Sequence, residues 1–272
     1  MKPQEPVVIE APWSALTRFT DARIALGRAG HSLPTAAHLD FQLAHAQARD
    51  AVQLPLDALG LAQSIEAIGL SALGLHSAAI DRTTYLQRPD LGRRLDAHSR
   101  NLLQAWQAAN AGATRFDLAF VVADGLSALA IHNNATPLLE ALVLRLRADS
   151  QFPWSIGPVA VVEQGRVAIG DEVCELLQAD AVAVLIGERP GLSSPDSMGI
   201  YLTWGARLGC HDAQRNCISN VRKSGLSPES AARKLHHLLQ RARTLRLTGI
   251  GLKDESDEVG SGRLPRPANV PT

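Results

Sequence analysis

The chain has 272 residues, of which 46% are apolar, 20% charged and 4% aromatic, a balance that permits a sizeable core of Ala, Leu, Val and Ile and argues against global disorder. Lys plus Arg and Asp plus Glu both number 27, so the formal net charge is zero. Nothing in that balance predicts attraction to nucleic acid or to an anionic membrane, and a neutral surface eases self-association or a permanent partner.

The first residues, MKPQEPVVIEAPW, hold no signal-peptide apolar run, and residues 1–15 read as a Pro-rich extended lead-in. Thr20–Gly30 is basic, and Gly27-x-x-Gly30 with Arg23 and Arg28 can turn backbone N–H groups towards a phosphate. The full dinucleotide-binding spacing is missing and no apolar strand precedes it, so a docking or structural turn is the favoured reading. Pro34 stops any earlier helical turn, and Thr35 is placed to cap a helix over 36–52. Residues 54–74, rich in Leu and Ala, read as one or two short helices, 81–88 as a polar connector, and Pro89 to Gln107 as a further helix.

Ala111-Gly112-Ala113 closes this helical half. Residues 117–123 form the first apolar run expected of a buried strand, and Asp124 to Ser127 opens a short helix at its end. A longer helix is expected from Asn134 to about Arg147, with Pro137 tolerated in its first turn. Residues 159–163 and 166–169 flank Gln164-Gly165, which reads as a hairpin turn. Asp171 and Glu172 suit the first turn of a helix running to Leu177.

Ala-Val-Ala-Val-Leu-Ile at 181–186 reads as a strand buried on both faces, as in parallel sheets. Gly187 ends it, and Glu188 and Arg189 come next, where open α/β sheets bind ligands. Residues 192–197 read as a polar loop, 200–204 as the next strand and 215–220 as a polar loop enclosing Cys217. Ser227 caps a final helix, along which the adjacent His236 and His237 cannot share a face, so no metal site is expected there. The organisation expected is a helical N-terminal region over 1–112, an α/β domain over 113–252 and a disordered tail over 253–272. The α/β part is expected to be an open, mostly parallel, Rossmann-like sheet with flanking helices.

Self-contained chemistry is hard to find. There is no GxSxG, HExxH, P-loop or CxxC motif. The three cysteines, Cys174, Cys210 and Cys217, are irregularly spaced and fit reduced thiols better than a disulfide frame. Of these only Cys217 sits in a polar segment, and no His lies in its block. On residues alone, the polar strand ends can be ordinary loops, and a binding role is better supported than a catalytic one.

Several ordered segments carry a more specific signal: ARIALGRAG at 22–30, SLPT at 32–35, LAHAQARDAV at 43–52, VVADGLSALA at 121–130, QGRVAIGDE at 164–172, IGERPGLSSPDS at 186–197, RNCISN at 215–220 and TGIGLKD at 248–254. In this order they resemble the small (light) subunit of ethanolamine ammonia-lyase. The resemblance implies a required but non-catalytic subunit of an adenosylcobalamin-dependent enzyme that converts ethanolamine to acetaldehyde and ammonia by a radical path. It implies a large-subunit partner carrying the substrate site and a hetero-oligomer with several copies of each subunit. Docking is expected through the helical region 1–112, whose Gly and Ala usage, low aromatic content and basic turns such as Arg23 and Arg28 equally suit a self-contained helical bundle. The resemblance places Val167, Glu188 and Cys217 at cofactor-contacting positions, with no catalytic residue and no metal ligand in this chain. The cofactor is expected to keep its own base. Accordingly Asp96-Ala97-His98, though it looks like the DxH of domains that supply a protein His to cobalamin, has Asn101 where a Gly is required and reads as coincidence. The expected location is cytoplasmic, with a bacterial microcompartment left open, and no membrane or nucleic acid is expected as a partner. Two rival readings are a stand-alone α/β hydrolase-like enzyme using Cys217 and a structural or targeting protein of a metabolic compartment.

Overall fold

The computed structural model describes residues 7–110, 115–149 and 153–254. The expected boundary at 112/113 and the tail from 255 onward lie outside them. The N-terminal segment is an arm. Ile9 and Arg28 exchange backbone hydrogen bonds of 2.8 and 2.9 Å, a 3-10 turn spans Ser14–Phe19, and no residue from 7 to 33 is buried.

The first helix, α1, covers Thr35–Gln53 with Pro34 at its N-cap. Thr35 is therefore inside the helix and caps nothing with its side chain. Next come α2 (Ala58–Ala67), capped by Asp57, and a strand, β1 (Ala72–His76). That strand corrects the all-helical reading of 54–74: Gly69, at φ +81, ends α2 and lets the chain turn into the sheet. The supposed connector at 81–88 contains α3 (Arg82–Gln87), capped by Asp81. The expected helix from Pro89 starts only at α4 (Ala97–Ala109). Asp96 is its N-cap, accepting a hydrogen bond from the Ser99 N–H at 2.7 Å, so the DxH aspartate has a local structural role.

The remaining elements alternate: β2 (Phe116–Ala123), α5 (Ala128–Ala148), β3 (Val159–Glu163), α6 (Ile169–Leu176), β4 (Ala179–Gly187), β5 (Met198–Trp204), β6 (Asn216–Val221) and α7 (Pro228–Leu245). Three expectations change. Ser127 caps one continuous α5 that runs through Pro137, where two helices were expected. Gln164-Gly165 is no hairpin turn, because β3 pairs in parallel with β1 and β2 and leads into α6. Residues 216–221 are a strand paired antiparallel to β5.

The fold is α/β with a six-stranded mixed sheet in the order β1-β3-β2-β4-β5-β6. Its first four strands are parallel, and β5 and β6 are joined to it by antiparallel pairing. Alternation along β2 sorts the core into two layers. Leu118, Phe120 and Val122 face α2, α5 and α7, whereas Ala119, Val121 and Ala123 face α4 and α6. Burial on both faces explains why β2 and β4 are continuous apolar runs.

Candidate functional site

The chain leaves β2 through α5 to reach β3 on one side, then leaves β3 through α6 to reach β4 on the other. Since α5 and α6 lie on opposite faces, the carboxyl ends of β2, β3 and β4 surround a topological switch point, where α/β sheets open a crevice. A cleft of about 250 Å³ lies there, lined by Tyr85, Gly125, Leu126, Arg166, Val167, Ile186, Gly187, Glu188, Arg189 and Tyr201.

Two glycines form part of its wall. Gly125 has φ +55, and a Cβ there would fall 2.3 Å from the Gly187 carbonyl oxygen; at Gly187 a Cβ would fall 2.1 Å from the Ser127 oxygen. The ends of β2 and β4 can close on each other only without side chains, and the Leu126 N–H donates to the Gly187 carbonyl at 2.9 Å. The segment after β4 is pinned as well. Ser127 Oγ donates to the Pro195 carbonyl at 2.7 Å, and Asn134 Nδ2 to that of Asp196 at 3.0 Å.

Glu188 is half-buried, and its Oε2 accepts from Ser197 Oγ at 2.5 Å and from the Asn220 N–H at 3.3 Å. Those two bonds join the loop after β4 to the end of β6. Oε1 lies over Gly199 with no hydrogen-bond partner among the described residues, which leaves an acceptor for a ligand. Arg166 sits with its guanidinium 4.4 Å from the Tyr85 ring centroid, while Nη2 donates to the Tyr85 carbonyl at 2.9 Å. Arg82 also packs on that ring, at 4.8 Å, and donates to the carbonyls of Val52 and Gly125 at 2.7 and 2.8 Å. Arg82 thus joins the end of α1 to the carboxyl end of β2. Burial pushes the Tyr85 hydroxyl up to about 12, so it stays protonated and donates to the Gly165 carbonyl at 3.3 Å.

Val167 and Glu188, far apart in sequence, line this one cleft. Cys217 does not line it. It is an exposed residue of the edge strand β6, registered opposite Tyr201, which does. The thiol and the Tyr201 hydroxyl interact, and burial first, then Cys217, pushes Tyr201 up to about 12. Although Cys217 is exposed as a residue, partial desolvation of its sulfur raises the thiol; the Tyr201 hydroxyl pulls it down in part, and the neighbouring Glu188 carboxylate adds to the rise. A thiol held above its ordinary range is a poor nucleophile at neutral pH. Sequence reasoning passed over Arg166 and Tyr201. Arg166 is adjacent to Val167 in QGRVAIGDE, but its aim into the cleft depends on Tyr85, 81 residues earlier.

Residues 10–253 match the protein family described as ethanolamine ammonia-lyase light chain. Over 258 residues the chain is 57% identical to the ethanolamine ammonia-lyase small subunit of Azotobacter vinelandii, covering 93% of this chain and 94% of that one. It is 54% identical to the small subunit of Pseudomonas aeruginosa over 261 residues, 96% and 94% of the two chains. With the Xanthomonas campestris small subunit it shares 57% identity over 245 residues, 90% and 88% of the two.

Proposed function

The chain belongs to the ethanolamine ammonia-lyase light-chain family, and from that membership we propose that it is the non-catalytic small subunit of an adenosylcobalamin-dependent enzyme. Its task is to close one side of the cofactor at an interface with the large subunit. The observation that carries this reading is convergence: Val167 and Glu188 line one crevice at the switch point, and Cys217 lies one strand position from it, against Tyr201.

The residues present fit an edge of a corrin ring. Its rim bears amide side chains, which both donate and accept hydrogen bonds. Glu188 Oε1 offers an acceptor, Arg166 and Arg189 offer donors, and Val167 offers an apolar contact. The volume fits an edge only: about 250 Å³ is below the roughly 300–1,000 Å³ of sites that bury most of a ligand on their own. The rest of the ring is left for a second chain to enclose. When bound, the cofactor supplies a cobalt–carbon bond whose homolysis starts the conversion of ethanolamine to acetaldehyde and ammonia. This chain's residues orient the rim and exclude water. A protonated Cys217, and a Glu188 already tied to Ser197 and Asn220, support a binding role over a catalytic one.

The arm and the start of α1 supply the docking surface. More than half of the exposed large apolar side chains among the described residues lie between Val7 and Leu43, among them Trp13 at 68% and Phe19 at 74% exposure. Apolar surface gathered in this way marks an interaction site, and the large subunit is the partner proposed for it. Among the described residues no helix is long and apolar enough to cross a membrane.

The reading is tested by supplying ethanolamine and adenosylcobalamin to the purified chain alone and to its co-expressed complex with a large subunit. Acetaldehyde and a co-purifying cobalamin absorption band are expected from the complex only. Acetaldehyde released by the chain alone would overturn it.

A further inference from the structure

A further space borders the cleft at Arg166 and Val167. This second groove, of about 840 Å³, runs along α6 to the loop between β5 and β6. It is rich in both charges, but they are unevenly matched along its length. Asp171 is bound by both Nη groups of Arg215 at 2.7 Å, with both side chains only 2% exposed. Glu172 accepts from Arg100 Nε at 2.7 Å and from the Leu95 N–H at 2.8 Å. Asp90 is paired with Arg88, which lies outside the groove, and the exposed Asp212 is 3.6 Å from Arg215.

At the end shared with the cleft, three arginines remain. Arg93, Arg94 and Arg166 have no carboxylate within ion-pair distance among the described residues. They are held near one another by backbone: the Arg166 N–H donates to the Gly92 carbonyl at 2.8 Å, which seats the Leu91–Arg93 turn against Arg166. In addition, Arg166 Nε is buried and has no hydrogen-bond partner among the described residues. Like charges gathered in a groove repel one another unless an anion lies between them, and guanidinium groups match a phosphate's oxygens with paired donors.

We propose that this end of the groove binds the phosphodiester in the nucleotide tail of the cofactor whose ring edge occupies the adjoining cleft. The inference rests on the reading above. Within adenosylcobalamin the phosphodiester is the fixed negative charge, and it leaves the ring from its rim. A ring edge against Val167 and Glu188 and a tail against Arg93, Arg94 and Arg166 use the two adjoining spaces for one ligand. Arg166, lining both, meets the two parts at their junction.

The test uses the assembled complex, as wild type, as Arg93→Ser/Arg94→Ser and as Glu188→Ala. Both arginines are exposed and make no ion pair among the described residues. Each complex is titrated with adenosylcobalamin and with adenosylcobinamide, which keeps the ring but lacks the phosphodiester and nucleotide, and binding is read from the corrinoid absorption. The double variant is expected to bind adenosylcobalamin about tenfold or more weakly, with the loss shrinking in high salt, and to bind adenosylcobinamide as wild type does. Equal losses for both corrinoids, or none for either, would overturn the proposal, as would failure of the variant to assemble, which would mark the groove as a subunit contact. Inorganic phosphate that stabilises the wild type alone, with no change in cobalamin affinity, would reveal a free-anion site and overturn it too. Glu188→Ala separates the two readings. If it weakens both corrinoids while the arginine variant weakens neither, the ring site stands and the tail site falls; if it weakens neither, the ring site itself is misplaced.

Discussion

Asp124 shows how much is invested at the strand ends. Its carboxyl is almost wholly buried, 3.5 Å from Arg82, and accepts from the Gly165 N–H at 3.1 Å. Burial pushes it up to about 6 from 3.8, with Arg82 and nearby N–H groups pulling in the other direction. The folded state therefore holds this proton more tightly than the unfolded chain does. Its contribution to stability is fully present below about pH 4 and is lost as pH rises through about 6, by on the order of 3 kcal/mol for a shift of about two units. Thermal unfolding of wild type and Asp124→Asn across this window should show wild type losing stability relative to the variant as pH rises. Parallel profiles would mean that Asp124 titrates like an exposed carboxylate. Keeping an ionised group there at neutral pH costs stability, and what it secures is the position of Arg82, which joins α1 to the wall of the cleft. None of this was legible in VVADGLSALA, because the partners Arg82 and Gly165 lie 42 residues before and 41 residues after Asp124.

At the scale of elements, the doubly buried strands and the long terminal helices α1 and α7 were readable, and the edges of the sheet were not. Both β2 and β4 stand out as apolar runs since each has neighbours on both sides and helices on both faces. The outer strands lack those constraints. β1 is only five residues long and comes after a Leu- and Ala-rich segment whose composition suits a helix. β6 alternates buried and exposed positions imperfectly, with Cys217, Ser219 and Asn220 exposed, so RNCISN looks like a loop. The Gln164-Gly165 turn looks like a hairpin because Gln164, at φ +55, does make a tight turn, but the chain then enters α6 rather than a second strand. As to the candidate site, the strand-end rule drew attention to Glu188 and Arg189 from the sequence itself, and resemblance supplied Val167, Glu188 and Cys217 as cofactor contacts. The shared cleft of Val167 and Glu188 needed the order β3-β2-β4, which no local pattern encodes.

At the scale of the whole molecule, the chain divides into an arm none of whose described residues is buried and a body whose core draws on both halves of the sequence. Leu61, Ile65, Leu75 and Leu103, all from before residue 112, are core residues, so a cut at 111 would remove β1 and uncover both layers. A cut at 33 removes no buried residue from the described part of the chain. Deleting residues 1–33 should leave the unfolding midpoint within a few degrees of wild type while abolishing assembly with the large subunit. Undiminished assembly would place the docking surface on the body. The central claim is that the cofactor's edge rests in the crevice at the switch point. Glu188 is its sharpest probe, because a hydrogen bond to a charged acceptor contributes on the order of 1.5–3 kcal/mol. The measurement is a titration of the assembled complex with adenosylcobalamin, wild type against Glu188→Ala, with subunit association monitored in parallel. A roughly tenfold to hundredfold weaker Kd with intact assembly is predicted; unchanged affinity in a correctly assembled variant would contradict the claim.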